Sequence, residues 1–362
     1  MVNKKRALLV VLAITMVISL LTGCTVTSNT SSATTTTPST AVGDSSQQAS
    51  GSTVSVTPGE ITVAYSDAGL VNVWRIICQQ DMERAAKEAG VKLISADGQM
   101  DPAKQLSDVQ SLLAQKPNVI IVAPAESKAL APIVEMCNKA NVPLIIIDRT
   151  IDAEPGVGMY KAEIVQSHEL SGILLASKTV ELLIAKNGEA KGNVVKLQGA
   201  AGASAVIDAQ KGWDEVMASY PNIKVVGVQD TGFTKEGGMT AMENFLQTFP
   251  KGQIDIVWSD YSDMTQGGIQ AIKDAGRDEL LGYIVGEGGH IKCIEDVLNG
   301  NIALETQTPP YFGDVAIKNA LDIIAGKTVL AKQDIAIKIF DTNNKVFAQN
   351  YYDQIKAAGL EF

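Results

Sequence analysis

The sequence predicts an α/β protein built from two doubly wound parallel-sheet lobes. From Ile61 onward short strand-like runs alternate with helical patterns, as in parallel sheets with helical crossovers. Several runs, VIIVAP (119–124) and PLIIID (143–148) among them, are apolar without alternation, which suits strands covered on both faces. The series then starts over near residue 193, and a second βα series implies a second lobe.

In the first series, strands are expected at ITVAYS (61–66), KLISAD (92–97) and the two apolar runs. Trp74, Ile77, Cys78, Met82, Ala85 and Ala89 recur at three- and four-residue spacing, and Gly90 ends that helix. Asp101 suits an N-cap and Pro102 a first turn, leading into AKQLSDVQSLLAQK. A third helix covers about 128–140. In the second series the strands are NVVKLQG (193–199), IKVVGVQ (223–229), DIVWSD (255–260), YIVGEGG (283–289) and ALETQTP (303–309). Helices are expected near 163–186, 204–219, 235–248, 262–275 and 291–299, then a helix at about 312–325 and a strand at 334–340.

The N-terminus speaks for the compartment. Met1 to Arg6 is basic, Ala7 to Leu20 is apolar, and small residues follow, the layout of a secretory signal over 1–23. Leu21-Thr22-Gly23-Cys24 resembles the bacterial lipobox, whose cysteine is acylated and becomes the new N-terminus; the rival is an uncleaved signal anchor, for which the apolar run is short. Residues 24–58, rich in Ser and Thr, have too little apolar surface to offset their ordering entropy and read as a flexible tether. The expected location is the extracytoplasmic face of the cell membrane, held by lipid on Cys24.

Composition narrows the partners. The 362 residues carry a formal charge of −10, and −13 once the leader's Lys4, Lys5 and Arg6 are gone. That balance argues against nucleic acid and against a polybasic contact with anionic lipid. The other three cysteines, Cys78, Cys137 and Cys293, form no C-x-x-C pair and read as small buried hydrophobes.

Catalytic motifs are missing. His168 and His290 are the only histidines, without H-E-x-x-H and without a Cys or carboxylate at ligand spacing. Gly202-Ala203-Ser204-Ala205-Val206 is not a G-x-S-x-G elbow, and Gly326-Lys327-Thr328 has Leu321 where a phosphate loop needs its first glycine. The reading is a binding protein, not an enzyme, with no cofactor and no metal.

In doubly wound sheets ligands sit beyond the carboxyl ends of the strands. Those ends carry Ser66 and Asp67, Asp97 and Gly98, Asp148 and Arg149, Asp260 to Asp263, Glu287 to Gly289, and Gln307. Carboxylates, amides and guanidinium forks can saturate hydroxyls, and a C–H face stacks on an aromatic; sugars and polyols need both. Asp148-Arg149 either forms a local ion pair or grips hydroxyls. Trp74 and Phe233 either pack into the core or wall a ligand.

ADGQMDPAKQLSDVQSLLAQKPNVIIVAPAESKALAPIVEMCNKANVPLIIIDR, VVKLQGAAGASAVIDAQKGW and GFTKEGG together resemble the type 1 periplasmic binding protein family, in its ribose- and galactofuranose-binding branch of ABC importers. The resemblance spans about residues 60–340. It implies ligand contacts at Asn72, Trp74, Arg75, Asp148, Arg149, Phe233 and Gln307. The second lobe departs: Ala209 replaces a frequent arginine, Tyr261 with Asp263 nearby replaces a usual asparagine, and Glu287-Gly288 replaces a hydrophobic-Asp pair. Tyr261, Asp263 and Glu287 are therefore further candidates, and Ala123 stands where ribose binders carry Asn.

The resulting expectation is a first lobe of 59–161 plus 309–337 and a second of 162–308 plus 338–362, hinged near Lys161, Thr308 and Ile337. Closure buries a monosaccharide or polyol, and the closed monomer meets an ABC transporter permease. A sugar-sensing lipoprotein serving a membrane kinase or chemoreceptor is the alternative. A transcription regulator would need a helix-turn-helix where the lipobox stands, and a sugar enzyme would need a catalytic motif.

Overall fold

The structure, a computed structural model, describes residues 61–357. The expectations for the signal peptide at 1–23, lipidation of Cys24 and the tether at 24–58 lie outside the described residues.

The first lobe opens with β1 (Thr62–Asp67), α1 (Val73–Glu88), β2 (Lys92–Asp97), α2 (Pro102–Ala114) and β3 (Val119–Val122). It continues through α3 (Ser127–Leu130), α4 (Ile133–Ala140), β4 (Leu144–Asp148) and β5 (Tyr160–Gln166). Local chemistry sets the boundaries. Asn72 caps α1 by accepting from Arg75 N, and Gly90 follows its last turn at φ +68°. Asp101 caps α2, with Pro102 in the first turn. Every residue of β3 and β4 is buried, since helices cover both faces of this sheet.

The second lobe follows as α5 (His168–Asn187), β6 (Gly192–Gln198), α6 (Ser204–Met217), β7 (Ile223–Asp230), α7 (Lys235–Thr248) and β8 (Ile256–Ser259). It goes on through α8 (Ser262–Asp274), β9 (Ile284–Gly288), α9 (Ile291–Asn299) and β10 (Leu304–Gln307). The chain then returns to the first lobe with α10 (Gly313–Ile324), which packs on α1, and β11 (Lys332–Ile335). It ends in the second lobe with β12 (Lys338–Asp341) and α11 (Lys345–Ala357), against α9.

The two sheets repeat one topology. The first runs β2-β1-β3-β4-β5-β11, with all neighbours parallel. The second runs β7-β6-β8-β9-β10-β12, parallel except for the β10–β12 pair. In each, the strand order reverses beside its first strand, so the crevice that binds ligands in doubly wound sheets opens at the carboxyl ends of β1 and β3, and of β6 and β8. Both lobes belong to one compact unit.

Two boundaries differ from expectation. Residues 163–166 are not the start of a helix, and Lys161 is not a crossing: both lie in β5, paired with β4 and β11. Tyr160, Ala162 and Ile164 are buried there, the Tyr160 hydroxyl donates to Glu163 Oε2 (2.8 Å), and the ladders to β4 and β11 hold the segment extended. Residues 162–166 thus fall with the first lobe, and the first crossing comes between Gln166 and His168, where Ser167 caps α5. The single strand at 334–340 is instead two short strands, β11 and β12, one in each sheet, separated by Ala336 and Ile337.

Candidate functional site

The carboxyl ends of the strands of both sheets converge on one small, partly open cavity. Its wall includes Asn72, Trp74, Arg75, Asp148 and Arg149 from the first lobe and Phe233, Tyr261 and Glu287 from the second.

On the first-lobe side a buried charge network is organised around Asp148. Arg75 Nη2 donates to Asp148 Oδ2 at 2.6 Å, and Arg149 Nε lies 3.6 Å from the same oxygen. Arg75 Nη1 stands 3.6 Å from Asp67 Oδ2 and has no hydrogen-bond partner. Asp67 is fixed by the Tyr65 hydroxyl (2.6 Å) and Gly69 N–H (2.8 Å). Burial disfavours the charge on Arg75, but Asp148 and Asp67 outweigh it, so this guanidinium holds its proton even more firmly than usual. Arg149 has the opposite balance: burial, then the neighbouring Arg75 cation, bring it down to about 10.

The backbone at the site is strained. Asp148 has φ +66°, and the Arg149 N–H closes a three-residue turn onto Ile147 C=O at 2.7 Å. Phe233 has φ +61°, a conformation that costs a bulky residue on the order of 1–3 kcal/mol and persists only when its surroundings enforce it. Gly199 makes room for its side chain: a Cβ at that position would lie 2.1 Å from the Phe233 ring, so only glycine leaves space for the aromatic. Each lobe contributes one such residue to the wall.

The lobes are closed on each other. Trp74 Nε1 donates to Thr308 C=O (2.7 Å), and Trp74 N–H donates to the Tyr261 hydroxyl (3.3 Å). Asn72 Nδ2 donates to Phe233 C=O (3.3 Å), and the Arg149 guanidinium lies 4.9 Å above the Phe233 ring. At another place between the lobes, Thr150 N–H donates to Ser204 Oγ (2.9 Å) and Ser127 N–H to Gly202 C=O (3.1 Å). Trp74 accordingly does both things its sequence position allows: it is buried, tilted against Phe312 at 6.0 Å, and it walls the cavity.

Two candidates lie off the cavity wall. The Asp263 carboxyl is raised by burial and held back by the N–H of Val73, so it ties the start of α8 to the start of α1 across the lobes. Gln307 is wholly buried behind the crossing, where Nε2 donates to Gly289 C=O (3.3 Å), and it is Thr308 that reaches the cavity. Ala209, in the place of the missing arginine, is buried where α6 crosses α5, and a Cβ on Gly172 would lie 2.0 Å from its carbonyl.

Beyond the ligand contacts expected from the sequence the wall also holds His168, Ala205, Asp260 and Thr308, of which the sequence marks Asp260 only as a strand end and Thr308 only as a hinge. His168 is not paired with its sequence neighbour Glu169; its Nδ1 instead meets Glu287 Oε1 at 2.6 Å across 119 positions. Burial works against its charge but Glu287 prevails, and the imidazole titrates above its ordinary value. Asp260 ends the run DIVWSD, a signal passed over in favour of Tyr261 and Asp263. Its Oδ2 accepts from Gly199 N–H (3.2 Å) and faces Lys196 Nζ (3.3 Å), while Oδ1 is buried without a partner. Burial pushes this carboxyl up to about 6 against the pull of Lys196. Lys196 lies 3.6 Å from the Trp258 ring, which stacks on Trp213 at 4.1 Å.

Two lobes closing over a cavity of paired charges and aromatic walls are the architecture of a small-molecule binding protein. The model of the periplasmic binding protein domain matches residues 63–328, and the chain belongs to that family. It is similar to the galactofuranose-binding protein YtfQ of Escherichia coli K12, with 33% identity over 241 residues, 65% of this chain and 74% of that one. The ribose import binding protein RbsB of Bacillus subtilis 168 is 29% identical over 271 residues, 75% of this chain and 84% of the relative. A Mycobacterium smegmatis protein solved in complex with β-D-fucofuranose superposes with a TM-score of 0.75 at 28% identity, covering 83% of this chain and 98% of that one.

Proposed function

We propose that this chain captures one monosaccharide or polyol between its lobes and delivers it to an ABC importer, tethered to the membrane by lipid on Cys24. The observation that carries the reading is a set of buried polar atoms in the cavity wall without a protein partner: Arg75 Nη1, His168 Nε2 and Asp260 Oδ1. Two present cationic or ring nitrogen and one a carboxylate oxygen, so together they suit groups that both donate and accept. Such atoms are costly to bury unpaired, and a hydroxylated guest satisfies them while its C–H faces meet Trp74 and Phe233. Each cavity carboxylate has its own cation (Asp148 with Arg75, Glu287 with His168, Asp260 with Lys196), which suits a guest without net charge. The furanose- and ribose-binding names of the relatives support the same class of ligand.

The test is a thermal-shift screen of the full-length chain in detergent against pentoses, hexoses of both ring forms and polyols. A ligand at about 100 times its Kd adds roughly 2.7 kcal/mol of stability. Asp148→Ala and Trp74→Ala are each expected to abolish the shift while leaving the unliganded protein folded. A normal response from both variants would move the site elsewhere.

A further inference from the structure

The second-lobe wall holds a pair that the established family match does not account for. His168 opens α5 directly after the first crossing, and its buried ring is clamped through Nδ1 by Glu287 on β9 at 2.6 Å. That contact fixes the ring's orientation and assigns a proton to Nδ1, leaving Nε2 as the atom presented to the cavity. Nε2 is buried and has no hydrogen-bond partner. The charged groups around the ring are Glu287 from β9, Asp148 from the end of β4 and Asp208 from α6, with Arg75 and Arg149 lining the same cavity. Glu169, the next residue of α5, is turned to Lys211 at 2.8 Å.

We infer that His168, carried as an imidazolium by Glu287, donates from Nε2 to an oxygen of the ligand and is the second-lobe residue that decides which hydroxyl arrangement is accepted. The inference rests on the sugar-binding reading above and deepens it. A neutral ring with Nδ1–H on Glu287 would leave Nε2 a bare acceptor among carboxylates. The imidazolium instead offers an N–H, and a charged donor to a hydroxyl oxygen makes a stronger bond than a neutral one. Glu287 already holds the ring protonated above the usual histidine range, against burial. A ligand that accepts from Nε2–H raises this further. Affinity is therefore full below the pKa of His168 in the unliganded protein and falls as pH rises through it, by at most about tenfold per pH unit.

The test uses isothermal titration of the full-length chain in detergent with D-ribose, L-arabinose, D-galactose and xylitol between pH 5.5 and 8.5. For the tightest probe, Kd is expected to weaken by about tenfold or more across the alkaline limb. His168→Asn keeps a group for Glu287 but cannot reach the ligand; it should bind about 10- to 100-fold more weakly at pH 6. His168→Gln offers an amide near the Nε2 position; it should recover part of that loss, reorder the four probes and show no alkaline limb. Asp260 titrates near 6 in the same cavity, so the limb must vanish in His168→Gln to belong to His168. Nitrogen NMR of the wild-type ring gives a second measurement that needs no cavity variant, because the sequence has only two histidines and His290→Gln assigns them. The His168 ring should titrate at higher pH with sugar than without. A flat wild-type profile, a limb that survives in His168→Gln, or a His168 titration unmoved by sugar overturns the inference while leaving sugar binding intact. Failure of every probe to bind the wild-type chain brings down the sugar reading itself, and this inference with it.

Discussion

Glu305 lies on β10, three residues before the second crossing, and is wholly buried. Its Oε1 accepts from Ser262 Oγ (2.7 Å) and Gly289 N–H (3.1 Å), while Oε2 has no partner. Among the described residues no cation faces it at ion-pair distance, and burial pushes the carboxyl from an ordinary 4.5 up to about 7, with the Ser262 and Gly289 bonds opposing. A carboxyl that titrates higher in the folded than in the unfolded chain stabilises the fold in its protonated form. That contribution is complete below pH 4.5 and is lost as pH rises through 7. The distance between the two values corresponds to roughly 3 kcal/mol. Glu305→Gln keeps the carbonyl that serves Ser262 and Gly289 and cannot ionise. The variant should match wild type at pH 4.5, exceed it by under about 1 kcal/mol at pH 5, and exceed it by roughly 3 kcal/mol at pH 8. Chemical denaturation of the full-length chain followed by tryptophan fluorescence at those three pH values reads the difference. An equal gap at all three, or a variant less stable than wild type at pH 8, would refute the buried-acid argument.

Other expectations concern closure and anchoring. Gly202 packs against Glu126 of the opposite lobe, and a Cβ there would lie 2.7 Å from the Glu126 carboxyl carbon. That carboxylate ends a flexible side chain that can turn aside, so Gly202→Val should leave sugar affinity within about threefold of wild type by titration calorimetry; a loss of about tenfold or more would show that the closed form depends on this approach. Cys24→Ser should shift the protein from the membrane pellet to the soluble fraction on cell fractionation, and continued pelleting would count against lipidation.

The fold was legible because its signals are local and redundant. KLISAD and the helices at 235–248 and 291–299 coincide with β2, α7 and α9, since caps and apolar spacing mark them within a few residues. β5 was not legible. YKAEIVQ alternates apolar and polar residues as a strand does, but it is short and runs into the long helical pattern HELSGILLASK, and pairing with β4 and β11, the latter from residues 332–335, separates the two. The helix at Lys345–Ala357 was also missed: it carries mixed polarity and is held by the adjacent β12 and by α9, well back in the chain. In the site the same division holds. Trp74-Arg75 and Asp148-Arg149 are adjacent pairs at element ends, and they meet at the cavity. The pairing of His168 with Glu287, 119 positions away, and of Asp260 with Lys196 is visible only in the structure, because burial and charge pairing are properties of the folded chain. Asp263 and Gln307 carry suitable chemistry at strand ends, but their side chains are engaged by Val73 and Gly289.

The ten residues from Lys332 to Asp341 supply an edge strand to one sheet and then to the other. During synthesis, neither half of the molecule can complete its sheet until this stretch has emerged, after nearly all the rest has been made. A protease nick or premature stop there would strip both halves at once. For the same reason, a hybrid receptor that borrows the binding preference of one half cannot be made with a single splice: the coding segment for either half is interrupted, and three junctions must be cut and matched.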